Sequence, residues 1–106
     1  MLDIDNVKQL LSEIELTMKD SEIWSNEQLP ESAFHSREPF CIDSMTATQW
    51  LQWVFIPKMN HLIANQLPLP TRFALAPYFE ETLSEEHRRL LILLQELDLL
   101  LNRESQ

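Results

Sequence analysis

The sequence predicts an all-α fold, a four-helix bundle-like array with a long N-terminal strap loop. Three observations predict it. Apolar residues recur at three- and four-residue intervals, and no run alternates with period two. The 106 residues include no glycine, which removes the usual residue of tight hairpins and of helix C-caps. Prolines at 30, 39, 68 and 70 mark the connections between the periodic segments.

The first helix is expected from about Asp3 or Asp5 to Asp20. Val7, Leu10, Leu11, Ile14 and Met18 form its stripe, and either aspartate can cap it. Residues Ser21–Asp43 form a long connection that Pro30 and Pro39 keep from being helical. A structureless loop of this length is unusual in a compact domain. Trp24, Leu29, Phe34, Phe40 and Ile42 recur through it, so it is expected to be a strap whose apolar residues plug into the body. A short helical turn is expected near Ser21–Asn26.

The second helix starts near Ser44–Thr46 and runs to about Asn65, where QLPLPT stops it. Thr46 and Gln49 have capping-box spacing. At 100° per residue the helix carries two apolar faces. Leu51, Phe55, Met59 and Leu62 share one, and Trp50, Trp53, Val54, Pro57 and His61 share the other. A helix apolar nearly all round is buried on both sides, so this is expected to be the central helix, with His61 a satisfied core histidine. Pro57 cannot donate to the Trp53 carbonyl, which predicts a kink there. A short third helix covers part of Thr71–Leu83 and starts near Pro77, with Tyr78, Phe79 and Leu83 packing. The last helix begins near Ser84, with Glu85 and Glu86 in its first turn. Leu90, Leu93, Leu94, Leu97, Leu100 and Leu101 form its stripe. Ile92 and Leu99 lie on the far side, either as scattered surface residues or as a thin seam for weak homo-oligomerisation.

The length fits a single domain spanning residues 1–106. Cys41 is alone, so no intramolecular disulfide is available. MLDIDNVKQL carries acids where a secretory signal has basic and apolar runs, and no apolar run is long enough for a bilayer. A cytoplasmic protein is expected, without a membrane partner. The net charge of −9 opposes direct nucleic-acid binding. Ten acids lie at or before Asp43 and seven at or after Glu80, and between them Lys58 and Arg72 are the sole formal charges, with His61 nearby. Either that segment is buried, which excludes carboxylates, or it is a non-acidic window for an acidic partner.

Without glycine there is no Gly-rich phosphate loop and no nucleophile elbow. His35, His61 and His87 lack partners at ligand spacing, so neither a metal nor a cofactor is expected. No carboxylate pair or activated cysteine predicts catalysis, so the protein is expected not to be an enzyme. Trp24, Trp50 and Trp53 can bury on the order of 450–750 Å², which makes most of their area core. The Trp50 face still needs a cover. If the strap leaves part of it open, a groove beside Lys58 and Arg72 suits a partner's helix or loop. Trp50, Trp53, Lys58, His61, Arg72 and Tyr78 are the candidate partner-binding residues. The rival expectation is a small-molecule or cation site, catalytic in one version, that uses His61, Asp43 and Tyr78.

The assembled motifs resemble a known family. Ser36, Pro39, Phe40, Asp43 and Met45 lead into WLQWVFIPKM at Trp50–Met59, followed by LPLP at Leu67–Pro70 and ALAPYFE at Ala74–Glu80. The pattern resembles the YqcC-like family of small bacterial proteins, a domain of unknown function, over nearly the whole chain. The resemblance implies an all-helical bundle. It also implies an association, by gene neighbourhood, with a tRNA pseudouridine synthase. It transfers no catalytic residue. The expectation is a non-enzymatic accessory module for a protein partner, a tRNA-modifying enzyme being the candidate.

Overall fold

The computed structural model describes residues 4–26, 28–70 and 74–102. Four helices and three short 3₁₀ turns make up the ordered elements, and no strand occurs among the described residues. Helix α1 spans Ile4–Asp20 and buries Val7, Leu11, Ile14 and Met18, the predicted stripe, with Leu10 partly covered. Asp5 sits in its first turn and Lys19 in its last, each complementing the helix dipole. The helix ends in a Schellman motif with no glycine. Glu22 adopts φ 62°. Its N–H donates to the Lys19 carbonyl at 3.2 Å, and the Ile23 N–H to the Met18 carbonyl at 3.0 Å. This motif occupies the region where a helical turn near Ser21–Asn26 is predicted. The strap's turns lie later instead, at Glu31–His35 and Pro39–Cys41.

The strap plugs in at fewer points than its composition predicts. Trp24 and Phe40 pack against the core, and Ala33 and Met45 are buried. Phe34 and Ile42 are exposed, at 39 % and 59 %. The long chord between α1 and α2 can be spanned with few anchors, so not every apolar residue reaches the body.

Helix α2 joins three segments, Ala47–Trp50, Leu51–Phe55 and Ile56–Ala64. The Thr46–Gln49 capping box forms as its spacing predicts. The Gln49 N–H donates to Thr46 Oγ1 at 3.2 Å, and the Thr46 N–H to Gln49 Oε1 at 2.8 Å. Leu51–Phe55 is a π-helical turn in which the Ile56 N–H reaches the Leu51 carbonyl. The irregularity expected at Pro57 is thus a widened turn just before it. A regular helix would drive the Pro57 ring into the Trp53 carbonyl, and the extra residue per turn avoids that clash. A second glycine-free Schellman motif closes α2, with Gln66 at φ 56° and the Leu67 N–H on the Leu62 carbonyl at 2.8 Å.

Helix α3 spans Ala76–Thr82 with Pro77 in its first turn, and helix α4 spans Arg88–Asn102 after the 3₁₀ turn Glu85–His87. The leucine stripe of α4 is buried at Leu90, Leu93, Leu94, Leu97 and Leu101. α1 lies along α4, α3 packs on α4, and the second half of α2 meets α1. Leu51, Phe55, Ile56 and Met59 of α2 join the resulting core. No described helix is long and apolar enough to cross a membrane.

Candidate protein-binding surface

Five aromatic rings run from the core to the surface and back. Phe55 stacks on Trp50 at 5.5 Å, and Trp50 meets the Phe40 ring edge-on at 4.8 Å and 70°. Phe40 stacks on Tyr78 at 4.4 Å and 20°, and Tyr78 meets Phe79 at 5.3 Å. Phe55 and Phe79 are buried, whereas Trp50, Phe40 and Tyr78 are half-buried. The capping box positions Trp50 at the end of the first turns of α2, and Pro77 sets Tyr78 at the start of α3. Strap residue Phe40 bridges these two helices. Offset and edge-on contacts of this kind add about 0.5–1.5 kcal/mol per pair beyond buried area.

Trp53 lies elsewhere. It lines an open groove with Trp24, Ser25, Gln52, Pro57 and Asn60. Gln52, 4 % exposed, fixes the start of the strap there. Its Nε2 donates to the Ser25 carbonyl at 2.6 Å, and its Oε1 accepts from the Ser25 N–H at 2.8 Å. One side-chain amide thus pairs with both backbone groups of a strap residue, as a neighbouring strand would. Trp24 lies under the Lys19 ammonium, 5.2 Å from the ring centre, and Lys19 also pairs with Glu15 at 2.9 Å. The Trp53 indole N–H is shielded and has no acceptor among the described residues.

Lys58 and His61 are exposed on the second half of α2, so the expectation of a core histidine at 61 is corrected. Leu51, Phe55 and Met59 keep the inner face that a constant 100° wheel gives them, with Ile56 beside them. The second face is half-covered at Trp50, Trp53 and Val54 but open at Pro57 and His61, so its cover ends there. The helix is therefore not buried on both sides beyond Pro57. Asn65 Nδ2 donates to the His61 carbonyl at 2.8 Å. Arg72 falls outside the described residues. Of the six candidates, the structure joins Trp50 and Tyr78 through Phe40, and sets Trp53 in a separate groove. Asp43 and Tyr78 line a further open groove, but His61 does not, so the rival trio is not assembled. Among the described residues, no three of His, Cys, Asp and Glu gather as a metal site.

Sequence reasoning missed two buried polar groups that position this surface. Gln52 reads as one polar residue among several on α2. Asp98 sits inside the α4 stripe, between Leu97 and Leu101, and an acid on a leucine stripe is the signal that marks it. Both Asp98 oxygens accept from the Leu75 N–H at 2.9 Å, and Oδ2 also accepts from the Ala76 N–H at 2.8 Å. The carboxylate thereby caps α3 across the core and sets the register of Tyr78. Burial pushes the Asp98 carboxyl above the usual carboxylate range, against the opposing pull of the Ala76 and Leu75 N–H groups.

The profile of the DUF446 family, described as "tRNA pseudouridine synthase C", matches residues 6–100. The chain is 38 % identical over 94 residues to the uncharacterised protein YqcC of Escherichia coli K12, covering 89 % of this chain and 86 % of that one. It is 42 % identical over 81 residues to an uncharacterised protein of Haemophilus influenzae, with 76 % of each chain covered. A third match, 42 % identical over 66 residues, lies in a protein of Pectobacterium carotovorum named tRNA pseudouridine synthase C. That match covers 62 % of this chain but 18 % of the synthase. The solution NMR structure of Escherichia coli YqcC superposes with a TM-score of 0.84 at 36 % identity, over all of this chain and 93 % of that one.

Proposed function

The chain belongs to the YqcC-like family, DUF446, and we propose that it acts there as a non-enzymatic accessory module that docks on a tRNA pseudouridine synthase in the cytoplasm. One observation carries the proposal. A stretch homologous to this chain forms 18 % of a protein named as that synthase. Where two units are one polypeptide in one organism, separate chains elsewhere have a ready reason to bind each other, because tethering favours units that meet. The small fraction matched places most of that synthase outside anything this chain contains. The net charge of −9 fits docking on an enzyme that must present a basic surface to RNA, and does not fit direct RNA binding by this chain. The docking surface is the one bounded by Trp50, Tyr78 and the exposed Lys58 and His61, with the Trp53 groove beside it.

Titration calorimetry of the purified protein with the separately encoded synthase tests this. Saturable binding is expected, with Lys58→Glu changing the affinity at least fivefold at low salt while leaving the fold intact. Binding unchanged by Lys58→Glu would remove Lys58 from the surface. No binding at all would overturn the accessory reading.

A further inference from the structure

We propose that Phe40 is an exchangeable plug, holding a slot between Trp50 and Tyr78 that receives an aromatic side chain flanked by basic residues from a protein partner. The inference rests on the docking reading and supplies the chemistry of what docks. The slot is flat and pre-shaped. Its walls come from different helices, α2 and α3, and are backed by Phe55 and Phe79, which are 4 % and 0 % exposed. Each wall is therefore held from behind by a core ring of its own helix. The ring now in the slot makes both favoured aromatic geometries, stacked on Tyr78 and edge-on to Trp50. An incoming aromatic ring can reproduce both.

The plug is weakly held. Among its described residues, the strap around it buries only the small Ala33 and, at its far end, Met45, while Phe34 and Ile42 are exposed. Ser44 Oγ donates to the Ala33 carbonyl at 2.7 Å, and the Ser36 hydroxyl donates to Asp43. These bonds tie the strap to itself and survive if it moves as a unit. A segment with few buried apolar contacts opens well below the cost of global unfolding. The backbone adds a push in the same direction. Phe40 sits at φ 58°, ψ 19° and Cys41 at φ 50°, two successive non-glycine residues in the left-handed region. Both are released when the ring leaves. Charge selects the flanks of the incoming residue. Glu38 and Asp43, exposed, flank the plug in sequence, and Asp43 lines the open groove that runs past Tyr78.

The probe is acetyl-Lys-Phe-Lys-amide, titrated into ¹⁵N-labelled protein and read at the Trp50 indole N–H. Acetyl-Lys-Ala-Lys-amide is the control. The phenylalanine peptide is expected to saturate, to bind Phe40→Ala at least tenfold more tightly than wild type, and to bind Cys41→Asn about threefold more weakly. Asparagine tolerates the left-handed region and so keeps the plug seated. Equal affinity for wild type and folded Phe40→Ala would overturn the proposal, as would an equal response to the alanine peptide. If Phe40→Ala does not fold, Cys41→Asn decides. Weaker binding supports the plug and unchanged binding overturns it. Failure of the synthase titration with peptide binding intact would sink only the accessory reading. The reverse result would sink only the plug.

Discussion

Replacing Asp98 should cost more than replacing any exposed acid of this chain. The carboxylate receives two backbone N–H groups, from Leu75 and Ala76, which are 0 % and 6 % exposed. Pro77 follows with no N–H of its own, so these two donors are the leading orphans of α3. Asp98→Ala strands both. At about 1–3 kcal/mol for each buried unsatisfied donor, less what is recovered by no longer desolvating a carboxylate, the loss is about 2–4 kcal/mol. That is a fall in Tm of about 10–25 °C for a domain of this size. Asp98→Asn keeps the shape and one acceptor and should cost about 1–2 kcal/mol. The pH dependence has a definite sign. Because burial raises the folded carboxyl above its unfolded value, the native state holds more protons between the two values. The Asp98 contribution is complete below the unfolded pKa and declines as pH rises through the folded one. The advantage of wild type over Asp98→Asn should therefore shrink from mildly acidic to neutral pH, as read by urea midpoints at matched m-values. An advantage that grows with pH would mean that the helix N-terminus outweighs burial. A cost below about 1 kcal/mol for Asp98→Ala would refute the capping argument.

Three other outcomes follow from local geometry. Glu22→Gly and Gln66→Gly should each stabilise the protein by about 0.5–1 kcal/mol, since both positions are left-handed caps held by side chains with a Cβ. A lower urea midpoint in either variant would mean that the lost side chain matters more than the backbone. Gln52→Leu should remove both bonds to Ser25 at a cost of about 1–3 kcal/mol, and hydrogen exchange should accelerate at Trp24 and Ser25 before it does in α1. Protection unchanged at those two amides would show that the strap is anchored elsewhere.

The helices were legible because their signals are local. The α1 and α4 stripes, the Thr46–Gln49 cap and the Pro77 start depend on neighbours within a turn or two, and the structure places each of them as expected. What the sequence hid is non-local. Asp98 caps a helix 22 residues upstream, and Gln52 grips a residue 27 away. Neither pairing leaves a mark at either end except a polar residue on an apolar stripe. A wheel at a constant 100° sets His61 on the face of Trp50, Trp53 and Pro57, but it does not say how far along α2 that face is covered, and the cover ends before Pro57. The same proline that gave warning of an irregularity did not say which kind.

The open end of that second face also bears on the acid-free middle of the chain. Burial alone accounts for missing carboxylates only where the chain is buried, as at Leu51, Phe55, Ile56 and Met59. Pro57, Lys58, Asn60, His61 and residues 64–68 are exposed and still carry no acid, in a chain of net charge −9. At Asn65 and Gln66 the end of α2 supplies a local reason, since Asn65 Nδ2 donates to the His61 carbonyl, which a carboxylate cannot do, and acids are unfavourable at a helix C-terminus. At Asn60 solvation alone does not forbid glutamate. An incoming surface rich in acids, or one that buries these positions, is the kind of neighbour for which amides and a single lysine are compatible and carboxylates are not. Glu38 and Asp43, near Phe40 in the strap, are exposed acids. On the docking reading proposed above, a partner that spans both would bring basic residues to the strap and neutral or acidic ones to Lys58.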